Sequence, residues 1–442
     1  MTSEPAKVTP DIRLAVTFVI VTVFLDMAGI GLIFPVLPKI VETVGKTDLA
    51  NATLISGWLF FSYVGMQFLF GPLIGNLSDT YGRRPLLLIS VFGLAVDYLL
   101  TAFAPSLWWL FVGRIFAGLC GASYTTANAY LADITKQQDR ARVFGYIGAA
   151  YGLGFIIGPA IGGFLGEYGP RVPFFAAAFI SLLNFIFGYY VLPETLAANM
   201  RRPFSFARAN PFGTFKVFLT YRQVIPLSIV MFLYYLATSV YPAIWPFWGI
   251  ARFGWSESTI GLTLACFGLV MALTSGFLTG PAVGLLGQWQ TVVLGLSMAA
   301  VTAVGFAFSP GIGMVLLFTV INAPEGFADP ALTALMSGDA PADAQGELQG
   351  GIASAKNLAM LLGTPMFAQV FGYFLKERSA EVAAYASFFT TAALCFAAIA
   401  VFIWQIKHRS PAKSFHSTVT GLTKLRGCQV AAKSFACPVR CL

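Results

Sequence analysis

Charge is the scarcest property of this sequence. Only 10% of its 442 residues are Asp, Glu, Lys or Arg, whereas 57% are hydrophobic. Soluble domains carry about 25% charged residues, because a water-facing shell needs them. A mean hydropathy of +0.76 therefore excludes an ordinary soluble protein. No segment is left over for a soluble domain of usual size.

The residue types of enzyme and metal sites are almost as scarce. The only two histidines, His408 and His416, lie near the end of the chain, and the six cysteines lack zinc-like spacing. No Gly-x-x-x-x-Gly-Lys-Ser/Thr loop for nucleotide phosphates is present. The sequence therefore predicts no enzyme, no intrinsic ATPase, no metal and no cofactor. Membrane topology explains the net charge of +8 better than nucleic-acid binding does.

Long apolar runs occupy most of the chain. Each continues for about the length that a membrane-spanning helix needs. Their continuity, in place of alternating ten-residue segments, excludes a transmembrane β-barrel. Twelve helices are predicted near residues 14–38, 54–75, 86–104, 107–130, 142–165, 172–192, 223–247, 257–279, 290–308, 312–336, 349–372 and 382–405.

A polar, basic loop divides these runs near the midpoint of the chain. Gly71-Pro72 before the loop recurs as Gly280-Pro281 after it. Duplicated halves with a substrate site between them are the usual plan of secondary transporters. The sequence predicts an all-α polytopic membrane protein with a cytoplasmic N-terminus (1–13), a six-helix bundle (14–192), a middle loop (193–222), a second six-helix bundle (223–405) and a basic tail (406–442).

Positive residues set the expected orientation. With both termini inside, 20 of the 27 Lys and Arg residues lie on the inner side, six lie on the outer side, and Arg114 lies within a span. This bias predicts cytoplasmic termini. The tail carries seven Lys and Arg and no acid, which suits either a solvated segment or one lying on anionic lipid. Nothing in the sequence demands more than a monomer.

A compact polar motif follows the second predicted helix: Gly75-Asn-Leu-Ser-Asp79-Thr-Tyr-Gly82-Arg83-Arg84. Its glycines permit a tight turn and close helix approach. Asp79 has arginines and a helix N-terminus as possible partners. Such a cluster is suited to latch two bundles at the cytoplasmic end and to release them when a transporter inverts. The motif resembles the signature loop of the major facilitator superfamily.

A glycine motif lies in the fifth predicted helix, as Gly154-Phe-Ile-Ile-Gly158-Pro159-Ala-Ile-Gly162-Gly163. Glycines at four-residue spacing make a smooth helix face, and Pro159 bends the helix. The motif is similar to the one that marks antiporters, chiefly drug exporters, within that superfamily. Two interpretations remain open, a gate sealed by glycine packing and ordinary packing of small residues.

Further residues resemble the tetracycline/proton antiporter branch of the family, over nearly the whole chain up to about residue 375. The stretches that carry this resemblance are Asp26-Met-Ala-Gly29-Ile-Gly31, Gln67, Asp97-Tyr98, Gly113-Arg114, Arg252-Phe-Gly-Trp255, Thr259-Ile-Gly261, Pro330-Ala-Leu and Gln345-Gly-Glu-Leu-Gln-Gly350. The resemblance implies a drug:proton antiporter of the bacterial inner membrane, driven by the proton gradient and acting on small amphipathic substrates. Two positions depart from the branch. Gly254 replaces its usual histidine, and Ala299 stands near its usual ninth-span carboxylate.

Ionisable residues inside the predicted helices are candidate coupling and substrate residues, because each costs about 2.5–3.5 kcal/mol to insert. The resemblance adds Gln67 of the second helix to these candidates. Asp26 suits a proton or cationic-substrate site, or a structural hydrogen bond to another helix. Asp97 and Arg114 either form a pair, or Arg114 modulates Asp26. Glu325 and Asp329 either share a proton, since they are four residues apart, or lie on a broken helix near water. Lys356 lies nearer an inner end.

The sequence leaves the transport function open between three classes. The first is the drug:proton antiporter. The second is a proton-coupled symporter or a lipid or metabolite transporter of the same fold. The third is a membrane receptor or scaffold that transports nothing, which the lack of a soluble domain disfavours.

Overall fold

The computed structural model describes residues 12–121, 123–135, 139–196, 198–205, 210–341 and 344–408. We number the twelve membrane spans in chain order. Their helices are Ile12–Gly45 (span 1), Leu49–Tyr81 (2), Arg83–Ala102 (3), Leu107–Cys120 with Ser123–Ile134 (4), Arg140–Gly166 (5), Val172–Val191 (6), Ile225–Thr238 with Val240–Phe253 (7), Glu257–Leu273 with Thr279–Leu286 (8), Gln288–Ala307 (9), Ile312–Ile321 with Ala328–Gly338 (10), Gln345–Glu377 (11) and Ala380–His408 (12).

Eleven of the spans are long and apolar enough to cross a bilayer by themselves. Span 4 differs because its first helix, Leu107–Cys120, is apolar but short and is followed after Gly121 by a second helix. Most of the helices extend past the predicted boundaries; span 11, for example, begins at Gln345 where 349 was expected. Hydropathy marks only the apolar part of a helix, whereas backbone hydrogen bonds continue into the polar ends. The predicted all-α, twelve-span architecture is confirmed.

Three spans of the second half are interrupted. The helix of span 7 is interrupted at Ser239. Span 8 contains a π-helical turn, Thr274–Leu278. Span 10 passes through a 3₁₀ segment, Ala323–Phe327, in which Pro324 cannot donate a backbone hydrogen bond. Such interruptions free backbone groups and favour polar side chains at the same depth.

The apolar core shows where the two halves meet. Because the twelve spans alternate in direction, Ile12 and His408 lie at one face, here called the terminal face. Near the opposite face, one core joins Val36 and Tyr98 of the first half to Trp245, Phe306 and Phe388 of the second. Near the terminal face, one core lies in the first half, around Phe18 and Leu131, and another in the second, around Leu227 and Phe402.

Polar contacts between the halves follow the same division. At the opposite face, Gln369 donates to the carbonyl of Leu54 at 2.9 Å, and Lys376 lies 3.4 Å from the amide oxygen of Asn51. Near the terminal face, a β-carbon added at any of four glycines of these spans would meet no atom of a neighbouring element within 4 Å: Gly75, Gly145, Gly284 and Gly350. The structure is therefore closed at the opposite face and open at the terminal face.

The described part of the middle loop forms short helical turns. It contains the helical segments Ala198–Met200, Pro211–Phe215, Lys216–Thr220 and Arg222–Val224. Thr214 donates to Ser354 of span 11 at 2.8 Å, and Phe212 packs edge-on against Phe68 of span 2. The loop thus contacts both halves. The predicted N-terminal segment, apart from the start of span 1, and the tail beyond His408 lie outside the described residues.

Candidate functional site

A buried ion pair occupies the first half. Arg114 of span 4 donates to the carboxylate of Asp97 in span 3 at 2.6 Å, and the Asp97 side chain is only 1% exposed. The guanidinium carbon of Arg114 also lies 5.9 Å from the ring centre of Tyr63. Of the two interpretations from sequence, pairing is the one observed. Arg114 and Tyr63 both line a largely apolar cavity between spans 1–4 and 6, whose other polar lining residues are Ser56 and Thr101.

Asp26 lies on span 1 beside this pair. Its side chain is buried, with 8% exposure. It lies within electrostatic reach of the hydroxyls of Tyr63 and Tyr98. Tyr98 packs directly against Gly29, where any side chain would overlap its ring. Gly29, three residues after Asp26, thus lets span 3 approach span 1. Asp26 and the Asp97–Arg114 pair therefore lie around the same two tyrosines, Tyr63 and Tyr98, inside the first bundle.

Gln67 has a different environment from these charged residues. Its amide nitrogen donates to the carbonyl of Gly121 at 2.9 Å, where the first helix of span 4 ends. A carbonyl at a helix C-terminus has no intrahelical partner, so this bond stabilises the break. The observed contact of Gln67 therefore supports the shape of span 4.

Glu325 is the centre of a second polar network. It lies in the 3₁₀ segment of span 10 and is 3% exposed. Asn322 donates to one carboxylate oxygen, and the hydroxyl of Tyr234 lies 3.5 Å from the other. Thr302 of span 9 donates to the side-chain oxygen of Asn322 at 2.5 Å. The network joins spans 7, 9 and 10 at the point where the helix of span 10 is broken.

Asp329 has a partner of opposite charge. Its carboxylate lies 2.5 Å from the ammonium group of Lys356 in span 11. Asp329 thus contacts a cation, whereas the neighbours of Glu325 are the neutral Asn322 and Tyr234. The structure therefore gives the two carboxylates different partners, and the sharing of a proton between them stays a prediction. The expected break in span 10 is present, but Glu325 is buried in protein.

The glycine motif of span 5 contacts two different helices. Side chains at Gly154, Gly158 and Gly162 would overlap the backbone of span 1 between Phe24 and Leu32. A side chain at Gly163 would overlap Glu257 and Ser258 of span 8, and one at Gly261 would overlap the backbone of Pro159. The glycines at four-residue spacing thus let span 5 pack against span 1 within the first half. Gly163 and Pro159 make the close approach between the halves.

The polar motif after span 2 forms an ionic network at the terminal face. Arg83 contacts Asp79 at 2.6 Å and Asp133, at the end of span 4, at 3.2 Å. Arg84 donates to the carbonyl of Tyr189 at 2.7 Å. The backbone N–H of Arg202, in the middle loop, donates to the carbonyl of Asp79. These contacts hold spans 2, 3, 4 and 6 of the first half together and join span 2 to the middle loop.

Glu194 belongs to this network and was missed by sequence reasoning. Its carboxylate accepts from the backbone N–H groups of Arg83 and Arg84 at 3.0 and 3.3 Å, at the N-terminus of span 3. A negative charge is stabilised at that end of a helix. Gly82 has φ of +114°, and a side chain there would strike Glu194. The position of Glu194 just after span 6 could have indicated this role, because the end of span 6 lies at the same face as the motif.

Replacing Glu194 with alanine is expected to destabilise the terminal face. The change removes an acceptor that acts as a helix cap, and such losses cost about 1 kcal/mol. Thermal unfolding of the purified protein should begin a few degrees lower. The matched control is Glu377→Ala, at an exposed helix end, which should leave the transition in place. Equal transitions for the two variants would contradict this role.

The two departures from the tetracycline branch have local explanations. Gly254 ends span 7 with φ of +64°, a left-handed conformation that glycine adopts without strain. Its neighbour Arg252 forms an ion pair with Glu381 of span 12. Ala299 is buried among apolar residues of span 9. Among the described residues, Glu325 is the acid that the polar network connects to span 9, through Asn322 and Thr302.

Comparison with known proteins decides the family. The Major Facilitator Superfamily model matches residues 19–364 and also residues 227–435. The chain belongs to the major facilitator superfamily. A tetracycline resistance protein of class C from Escherichia coli is 39% identical over 349 residues, which are 79% of this chain and 87% of that protein. One of class G from Vibrio anguillarum is 38% identical, over 79% and 88% of the two chains.

Solved structures of this superfamily share the fold. A bacterial homologue of the human lysosomal transporter Spinster, inward-facing and occupied, matches with a TM-score of 0.73 and 15% identity, over 92% of this chain and 98% of that one. The nucleoside transporter NupG matches with a TM-score of 0.72 and 14% identity, over 89% and 100%. At such identities these likenesses establish the fold alone.

Proposed function

We propose that this protein is a proton-coupled antiporter that exports tetracycline-like or other amphipathic drugs. The observation that carries the proposal is that Asp26 and the Asp97–Arg114 pair are buried around the same two tyrosines, in a bundle whose described contacts with the other bundle lie towards the opposite face. A carboxylate held among apolar groups exchanges protons when its access to water changes. Identity to tetracycline resistance proteins favours a drug as the substrate.

In the proposed cycle, access to the site alternates between the two faces. The terminal face is cytoplasmic, in agreement with the Lys and Arg bias, so the observed state is open to the cytoplasm. In this state a buried acid releases its proton and the substrate binds. Rocking of the halves then opens the opposite face, where a proton enters as the substrate leaves. The proton gradient supplies the work, in the inner membrane of a bacterium, and a single chain suffices.

The symporter and the scaffold are less favoured. Gly163, which makes the close approach to span 8, belongs to the glycine motif that resembles the one marking antiporters of the superfamily. Buried charges inside both halves are costly for a protein that has only to bind a partner. No enzymatic role is proposed, because transport by alternating access requires no chemical step.

The test is drug-driven proton movement in inside-out membrane vesicles. Substrate added to energised vesicles should release protons from the lumen, and cells lacking other exporters should gain resistance. Asp26→Asn should lower the rate of proton release roughly tenfold, equivalent to about 1.4 kcal/mol, because the neutral side chain cannot titrate. The matched control, Glu347→Gln at the exposed start of span 11, should behave as the unchanged protein.

The possible outcomes separate the candidate functions. Protons that move together with the substrate would indicate symport. If the protein is present in the membrane but the cells gain resistance to none of the drugs tested, drug export is excluded as its function. Full proton exchange by Asp26→Asn would assign the coupling to another acid.

A further inference from the structure

A short 3₁₀ turn of the middle loop, Pro211–Phe215, packs against both span 2 and span 11 near the terminal face and is here called the loop turn. On the first-half side, the ring of Phe212 meets the ring of Phe68 of span 2 edge-on, with 5.7 Å between their centres. On the second-half side, the hydroxyl of Thr214 donates to the hydroxyl of Ser354 of span 11 at 2.8 Å. The loop turn therefore touches both halves where the structure is open.

The attachment of the loop turn to the second half is the more extensive of the two. The helix that follows it, Lys216–Thr220, buries Val217 and Phe218 in the terminal-face core of that half. Gly351 of span 11 permits this close packing, because a β-carbon there would lie 2.6 Å from the side chain of Val217. Phe212, by contrast, is 59% exposed. Its contact with span 2 is therefore the easier one to release.

Spans 2 and 11 pack directly against each other nearer the opposite face. A β-carbon at Gly57 of span 2 would lie 3.2 Å from the α-carbon of Pro365 of span 11. Phe68 and Ser354 lie equally far from that contact, about 16 Å along their helices towards the terminal face. At that depth the loop turn contacts both spans. It therefore occupies the place where the two spans would have to meet for the terminal face to close.

We propose that the loop turn is a wedge that holds the terminal face open and has to leave span 2 before the two halves close there. The proposal rests on the alternating access of the proposed function and adds a control to it. Two helices cannot meet while side chains fill the space between them, because protein interiors are close-packed. In the closed state the loop turn stays on span 11, and Phe212 loses its contact with Phe68. A contact made in only one of two states shifts the equilibrium towards that state.

Replacing Phe212 with alanine should shift the protein towards the state that is closed at the terminal face. Loss of one aromatic pair should raise the ratio of closed to open molecules about fivefold. Spin labels at the exposed positions 81 and 347, at the terminal ends of spans 2 and 11, should report this change as a larger population at short distance. The measurement uses the full-length protein without drug. Phe212→Tyr keeps the ring and should keep the ratio, as should the matched control Leu219→Ala, whose side chain is 72% exposed in the next turn of the loop.

A double variant shows whether the contact with span 2 is the one that matters. Phe68→Ala removes the same contact from the other side, so Phe68→Ala/Phe212→Ala should shift the ratio no further than Phe212→Ala alone. An unchanged distance distribution in Phe212→Ala would overturn the proposal, as would an equal shift in Leu219→Ala or additive shifts in the double variant. Absence of drug-driven proton exchange would instead remove the proposed function, because the label distances are measured without substrate.

Discussion

Replacing Gly163 with leucine is expected to abolish drug export. A side chain at this position would lie within the backbone of span 8, with its β-carbon 2.9 Å from the α-carbon of Ser258. This contact exists only where the halves close at the opposite face. The variant should therefore be unable to reach the observed state and should remain open at the opposite face. Spin labels at positions 51 and 376, whose native side chains are in contact, should move apart.

The matched control lies on the same helix. A β-carbon at Gly145 would meet no atom of a neighbouring element within 4 Å, so Gly145→Leu should keep both the label distance and export. If Gly163→Leu retains the short label distance, the close approach of spans 5 and 8 is not needed for closure. Gly158→Leu is a separate case, because Gly158 contacts span 1 of its own half and its replacement should lower folding yield.

Removing Arg114 should have the second largest effect. Arg114→Ala leaves the carboxylate of Asp97 buried without its cation, and breaking one partner of a buried ion pair costs about 3–5 kcal/mol. We expect little folded protein in the membrane and no resistance. The ion pair of Arg252 and Glu381, in which Glu381 is the exposed partner, provides the comparison. Glu381→Gln should cost little, since its side chain is 55% exposed and its charge is screened.

A double variant separates folding from coupling. Asp97→Asn/Arg114→Gln removes both charges and should restore the folded protein, measured by size-exclusion profile and thermal unfolding. Export should stay absent, because Arg114 also lines the cavity beside Tyr63. Recovery of both folding and export would show that the pair is only a structural contact.

The architecture and the candidate charges could be predicted from sequence. Apolar runs separated by polar turns predict twelve helices, because lipid leaves backbone groups no partner outside a helix. The same argument finds Asp26, Asp97, Arg114 and Glu325, since a charge among so many apolar residues needs a reason. Helix direction also follows, because span number and the Lys and Arg bias fix which ends share a face.

The partners of these charges were decided only by tertiary structure. The spacing of Glu325 and Asp329 suggested one shared site, yet the break at Asn322 gives Glu325 a neutral network and Asp329 a lysine from span 11. Glu194 meets Gly82 only because span 6 ends beside the start of span 3. Sequence determines which residues cost free energy to bury, since that cost depends on residue type and surroundings along the chain. Which residue offsets the cost depends on distances between helices, and those are set by packing across the whole fold.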